Sequence, residues 1–123
     1  MNKNTALLAI LILFLFAPGC HNNAAPVIPS APVGPDIGMV GETLKFAVVT
    51  TDPNSDSIRY RMDWGDDVGD WSSLLASAET CTLAHAWALR DTFSVKVQAE
   101  DVHGLVSDWS PAHEVSIESI CRR

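Results

Sequence analysis

Residues 58–64 alternate without interruption. Ile58, Tyr60, Met62 and Trp64 fall on one parity, Arg59, Arg61 and Asp63 on the other, and the run ends in Gly65, Asp66 and Asp67. A period of two places the apolar set on one face of an extended strand. This segment must therefore bury one face and then turn at an acidic, glycine-containing corner. The same period recurs along the chain. Leu44, Phe46 and Val48 share a face, as do Cys81, Leu83, His85 and Trp87. Phe93, Val95, Val97 and Ala99 alternate with Ser94, Lys96, Gln98 and Glu100, and Val115 and Ile117 alternate with Glu114, Ser116 and Glu118. Turn clusters such as Thr51-Asp52-Pro53-Asn54-Ser55-Asp56 separate the runs. No long stretch carries a helical stripe, and Leu74–Ala78 offers one helical turn at most. The pattern predicts an all-β antiparallel sandwich with Phe46, Tyr60, Trp64, Leu83, Trp87, Phe93, Val95 and Val97 inside.

Three pieces of this pattern form a composite signature. They are the Trp64-Gly65-Asp66-Asp67 turn, His85-Ala86-Trp87, and the run Asp91-Thr92-Phe93-Ser94-Val95-Lys96-Val97. Together they resemble the PKD family, whose signature is an aromatic-Gly-Asp-Gly turn, then His-x-aromatic and Gly-x-aromatic-x-Val-x-Val. The resemblance runs from about Ala31 to Ile120 and implies a seven-stranded, immunoglobulin-like β-sandwich. Val97–Ser110 is also similar to the late strands of fibronectin type III domains, which share that architecture. Asp67 and Asp91 replace two glycines of the signature. Aspartate tolerates positive φ better than most residues, so both turns are expected to hold with slight strain. The resemblance places His85 in the sandwich, where it is expected to pack near the Asp63–Asp67 turn and satisfy part of it. Asp63, Gly65, Asp66, Asp67 and His85 are accordingly read as structural turn residues.

The N-terminus reads as an address. Lys3 precedes an unbroken apolar run from Ala6 to Ala17. That is shorter than the roughly 20 residues a spanning helix needs and has the length of a signal-peptide core. Ala17-Pro18-Gly19-Cys20 resembles a bacterial lipobox, which implies a signal peptide over 1–19 and acylation of Cys20; an ordinary secretory signal is the alternative. His21, in place of the Asp that marks inner-membrane retention, points to the outer membrane. Pro26, Pro29, Pro32 and Pro35 follow at every third residue, favouring extended chain. Residues 20–30 are read as a Pro-rich tether reaching about 30 Å, and 31–121 as the domain, with 31–35 as its first edge strand.

Composition excludes several functions. Eight basic residues face fifteen acidic ones, and loss of Lys3 with the signal leaves seven against fifteen, a net charge of −8. Such a body lacks the basic patch that nucleic acid requires. No nucleophile elbow, metalloprotease helix or phosphate-cradling loop occurs, so catalysis is not expected, and no appended enzyme is expected after Arg123. Asp52, Asp56, Asp66 and Asp67 are weak calcium candidates, since calcium collects carboxylate oxygens; turn-making hydrogen bonds are the plainer role. His103 and His113 are too few for a zinc site. Trp71 and Trp109 sit beside polar loops and are candidate ligand contacts, for sugar stacking or a protein interface. Cys81 and Cys121 share inward parity. Their strands should run the same way, placing them at opposite ends, so no bridge is expected between them. The expected function is a non-catalytic envelope lipoprotein presenting one domain for protein interaction or spacing. The alternative is a module binding glycan or calcium.

Overall fold

Ile58, Tyr60 and Met62 point inward from their strand because the residues between them carry charge that stays in water. In the computed structural model, which describes residues 22–119, that strand is one of six. They are β1 (Ile37–Met39), β2 (Thr43–Val48), β3 (Ile58–Asp63), β4 (Cys81–Ala86), β5 (Asp91–Asp101) and β6 (His113–Glu118). No helix occurs among the described residues. One sheet has the order β1-β6-β5-β3 and the other is β2-β4. Pairing is antiparallel throughout except at one edge, where β1 runs parallel to β6. Cys20 and Cys121 lie outside the described residues.

The differences from the expected strand list have local causes. Val33 makes a single antiparallel bridge to Ala47, and no strand grows around it, because Pro32 and Pro35 supply no amide donor. Leu74–Ala78 is not helical: Leu75 bridges Ile58, and Ala78 turns away at a φ of 74°. The strain expected at Asp67 and Asp91 is absent. Among the described residues the non-glycine positions with positive φ are Ser55 and Ala78. Gly65 alone of the acidic turn takes that conformation, at φ 91°. A Cβ there would also sit 3.0 Å from that of Phe93, so the turn needs its glycine twice over.

The two sheets close over Phe46, Tyr60, Trp87, Val95 and Val97, all fully buried. Trp64 is nearly so, while Leu83 and Phe93 pack against the cluster from its rim. Phe46, Trp64 and Trp87 meet at centroid distances of 5.9–6.4 Å in tilted or edge-on pairs. Such pairs add about 0.5–1.5 kcal/mol beyond their burial. The Trp87 indole N–H donates to the Trp64 carbonyl at 3.0 Å, so the largest core side chain leaves no orphaned donor.

The proline period has a use of its own. Three residues per turn put Pro26, Pro29 and Pro32 on one face of an extended helix, and all three are buried. Between them Val27 donates its amide to Thr51 and accepts from the Thr50 hydroxyl at 2.7 Å. Residues 23–33 thus lie against the domain. Val40 donates to the Glu118 carbonyl and Gly41 to that of Trp87. β6 therefore finishes where β4 finishes, a strand's length from Cys81.

Candidate functional site

The sequence-predicted residues fall into three places: the acidic turn, the opposite loop end, and the outer face of the larger sheet.

At the acidic turn the Asp63 carboxylate accepts the Gly65 amide at 2.9 Å, and the Trp64 amide donates to the Asp67 carbonyl at 2.8 Å. His85 reaches over from β4. Its Nε2 donates to both oxygens of Asp66, at 3.0 and 3.1 Å. Its ring stacks on Trp64 at 4.8 Å with 7° between planes and meets the edge of Trp87 at 4.7 Å. The imidazole thus ties the turn to the core, and sits at the rim rather than the centre, half-buried.

The four aspartates read as calcium candidates do not converge. Asp66 and Asp67 follow the end of β3, whereas Asp52 and Asp56 precede its start, about 20 Å away by the rise of a strand. Asp66 is engaged with His85. At the other end Asp52 caps its own loop, accepting the Asn54 and Asp56 amides at 2.8 and 3.2 Å. There the structure gathers a group that sequence reasoning missed: Asp56, Asp101 and His103 bring ligand atoms within 4.8 Å of one another. His103 Nδ1 stands 3.3 Å from Asp56 Oδ2. Asp101 is buried and accepts the His103 and Leu105 amides at 2.8 and 3.0 Å and the Asn23 side chain at 2.9 Å. Burial pushes its carboxyl up, but these hydrogen bonds and the nearby His103 outweigh that and hold it below the ordinary range. A signal for this group was available. Antiparallel pairing sets Ile58 opposite Asp101, so residues two before the one and two after the other must meet. His113 is elsewhere, facing the Pro32 and Pro35 carbonyls and the Asp36 carboxylate.

On the sheet face Trp71 and Trp109 come together around Arg61. The guanidinium lies 4.6 Å from the Trp71 ring centre and 5.6 Å from that of Trp109. Arg59 also covers Trp71, at 5.3 Å. The two tryptophans are placed by the serines that follow them. Ser72 exchanges two hydrogen bonds with Tyr60: its amide donates to the carbonyl, and its Oγ accepts the amide at 3.0 Å. Ser110 does the same with Val97, and Ser107 with Ala99. Each hydroxyl then donates to the carbonyl of the next residue at 2.8 Å. The serine thus stands in for a strand neighbour and satisfies the buried ladder. The Asp-Trp-Ser echo at 70–72 and 108–110 is the trace of this device. Arg59 is neutralised by Glu100 at 2.6 Å, whereas Arg61 donates to the uncharged Gln98 at 3.1 Å. The arginines were legible only as the outward parity of β3. An open polar recess of about 420 Å³ between residues 90–92 and 116–118 contains none of these residues.

An all-β sandwich with this turn, this histidine and this aromatic core is an immunoglobulin-like module. The chain is similar to the PKD domain of an M14-like peptidase from Thermoplasmatales archaeon SCGC AB-540-F20, with 36% identity, a TM-score of 0.72, 79% of this chain covered and 99% of that one. The chain belongs to the PKD-domain family, whose domains are non-catalytic modules. It is also similar to a CARDB domain from Pyrococcus furiosus in complex with di-metal ions, with 12% identity, a TM-score of 0.58, and coverage of 80% of this chain and 99% of that one. At that identity the likeness concerns the fold alone. No protein-family model matches the chain, and no curated protein matches it.

Proposed function

We propose that this chain is a non-catalytic module of a bacterial cell envelope, anchored by lipid on Cys20, that presents its PKD domain to an envelope protein through the outer face of the larger sheet. The observation that carries the reading is the Trp71–Arg61–Trp109 stack. Tryptophan and arginine dominate binding energy at protein interfaces. Here they are held in place before any partner arrives, which lowers the entropy lost on docking. Arg61 has a neutral hydrogen-bond partner, so a partner's carboxylate finds an available charge on an otherwise acidic protein. The anchor rests on the apolar run of residues 6–17 and on Ala17-Pro18-Gly19-Cys20. The packing of residues 23–33 on the domain supports a short standoff from the membrane, with the loops around Asp52 and Asp101 nearest to it. Outer-membrane placement follows from His21.

The test is retention of an envelope protein from detergent-solubilised membranes. Arg61→Ala and Trp109→Ala should each abolish retention, and Thr82→Glu on the opposite sheet should leave it intact. Equal retention by all of them defeats the reading. Cys20→Ser should lose palmitate labelling and leave the membrane fraction; labelling that persists refutes the anchor. A glycan ligand would use the same two tryptophans. It is the second reading, favoured by their shared face, and a glycan array separates it from a protein partner. Calcium keeps Asp52 and Asp56 as candidates and loses Asp66.

A further inference from the structure

We propose that the tight turn after β5, residues 102–106, rests in the headgroup margin of the bilayer that holds the lipid on Cys20, with Val102, Leu105 and Val106 as its apolar contacts. This deepens the proposed membrane attachment and rests on the Cys20 anchor. The three aliphatic residues are 49%, 39% and 44% exposed within one turn. Apolar side chains scattered singly over a surface are ordinary, whereas a group of them marks a contact.

The way the chain enters the domain says what covers them. The Asn23 side chain donates to the Asp101 carboxylate at 2.9 Å. The Ala24 amide donates to Asn54 Oδ1 at 2.9 Å, and the Asn54 side chain donates to the Asn22 carbonyl at 3.3 Å. The entering chain is thus fastened beside the turn. Cys20 lies two residues before Asn22, and at about 3.8 Å per residue its Cα is within about 8 Å of that of Asn22. The headgroup layer is itself about 5–8 Å deep. So short a leash keeps this end of the sandwich at the lipid surface, and the turn gives that end an apolar part.

The turn also suits the chemistry of that place. Its amides are spent within the protein. The Asp101 amide donates to the Leu105 carbonyl at 2.9 Å and the Gly104 amide to the Asp101 carbonyl at 3.1 Å, and the His103 and Leu105 amides donate to the Asp101 carboxylate. Lipid offers few partners, so a segment that enters it must satisfy its own backbone. The neighbouring carboxylates are withdrawn: Asp52 and Asp101 are buried, and Asp56 faces His103. Residues 22–25, 50–57 and 101–107 contain no lysine or arginine. The contact is therefore made by apolar burial and not by attraction to anionic lipid, and salt does not release it.

The experiment uses the full lipidated chain, reconstituted in vesicles of phosphatidylethanolamine and phosphatidylglycerol whose acyl chains are brominated near the headgroup. Dansylalanine replaces Leu105 in one protein and Leu89 in another. Leu89 is more exposed, at 74%, and follows the far end of β4. Bromine should quench the probe at 105 and not at 89, equally in low and high salt, and Val102→Asp with Val106→Asp should reduce the quenching at 105. Melting in detergent checks that each variant folds. Equal quenching at the two positions, or none at 105, while palmitate still labels Cys20, overturns the inference and leaves the anchor standing. A probe at 105 that is unquenched in vesicles but shielded from iodide in native membranes reports a protein contact, which also overturns it. Absence of palmitate on Cys20 removes the anchor and the inference with it.

Discussion

Tyr60 is the single tyrosine of the chain, fully buried, and its hydroxyl closes a bond no other group replaces. The Thr50 amide donates to it at 2.9 Å, inside the protein. Tyr60→Phe keeps the ring and its packing and strands that amide. A buried donor left without an acceptor costs about 1–3 kcal/mol, and each kcal/mol lowers the melting temperature of a domain this size by about 4–8 °C. A second consequence is independent of the first. Desolvation, with lesser contributions from Cys81 and Glu79, raises the phenol above its ordinary 10.0 against the opposing Thr50 bond. The folded state therefore holds its proton more tightly than the unfolded chain. The stabilisation is complete below 10.0 and is lost as pH rises through the folded value. Cys81, raised above 9.0 chiefly by desolvation, adds a limb that begins lower. The assay is urea denaturation across alkaline pH with tyrosinate absorbance, which reports Tyr60 alone. Tyr60→Phe should be less stable at neutral pH and should lose the upper part of the alkaline limb while keeping the Cys81 part. Equal stability at neutral pH, or a tyrosine that ionises at its ordinary value while the domain stays folded, would refute the reasoning.

The serine clasps predict a graded pair. Ser110→Ala strands the buried Val97 amide and should cost about 1–3 kcal/mol, whereas Ser72→Ala strands the partly exposed Tyr60 amide and should cost less; urea denaturation of both variants measures the order. His85→Ala removes two ring contacts as well as the Asp66 bond and should cost about 1–3 kcal/mol, against less than about 1 kcal/mol for Asp66→Asn. Equal losses in the second pair would mean that the Asp66 hydrogen bond, and not the stacking, holds the turn.

The sandwich was legible because its strands obey a strict period of two, and the inward parity of β2, β3 and β5 names most of the core. The Asp63–Asp67 corner was legible because glycine and aspartate have few other reasons to follow a half-buried strand. Elsewhere the sequence carried the signal in a form that strand patterning does not read. The prolines at 26, 29 and 32 mark a buried stripe, since a three-residue turn and a spacer look alike until something packs on them. Asp101 and His103 become partners of Asp56 only once register is known, and register is a property of two strands. Trp71 and Trp109 are 38 residues apart in the chain and meet only because serines fasten both flanking segments to β3 and β5.

The most direct test of the account is to ask which face of the domain is occupied in the native envelope. A photoreactive side chain placed at the exposed positions Asp70 and Asp108, beside the two tryptophans, is compared with one at Thr82 and Ala84 on the outer face of β4. The account predicts a discrete protein adduct from the first pair, abolished by Arg61→Ala, and none from the second. Adducts from Thr82 and Ala84 alone, or the same adducts from both faces, would contradict it.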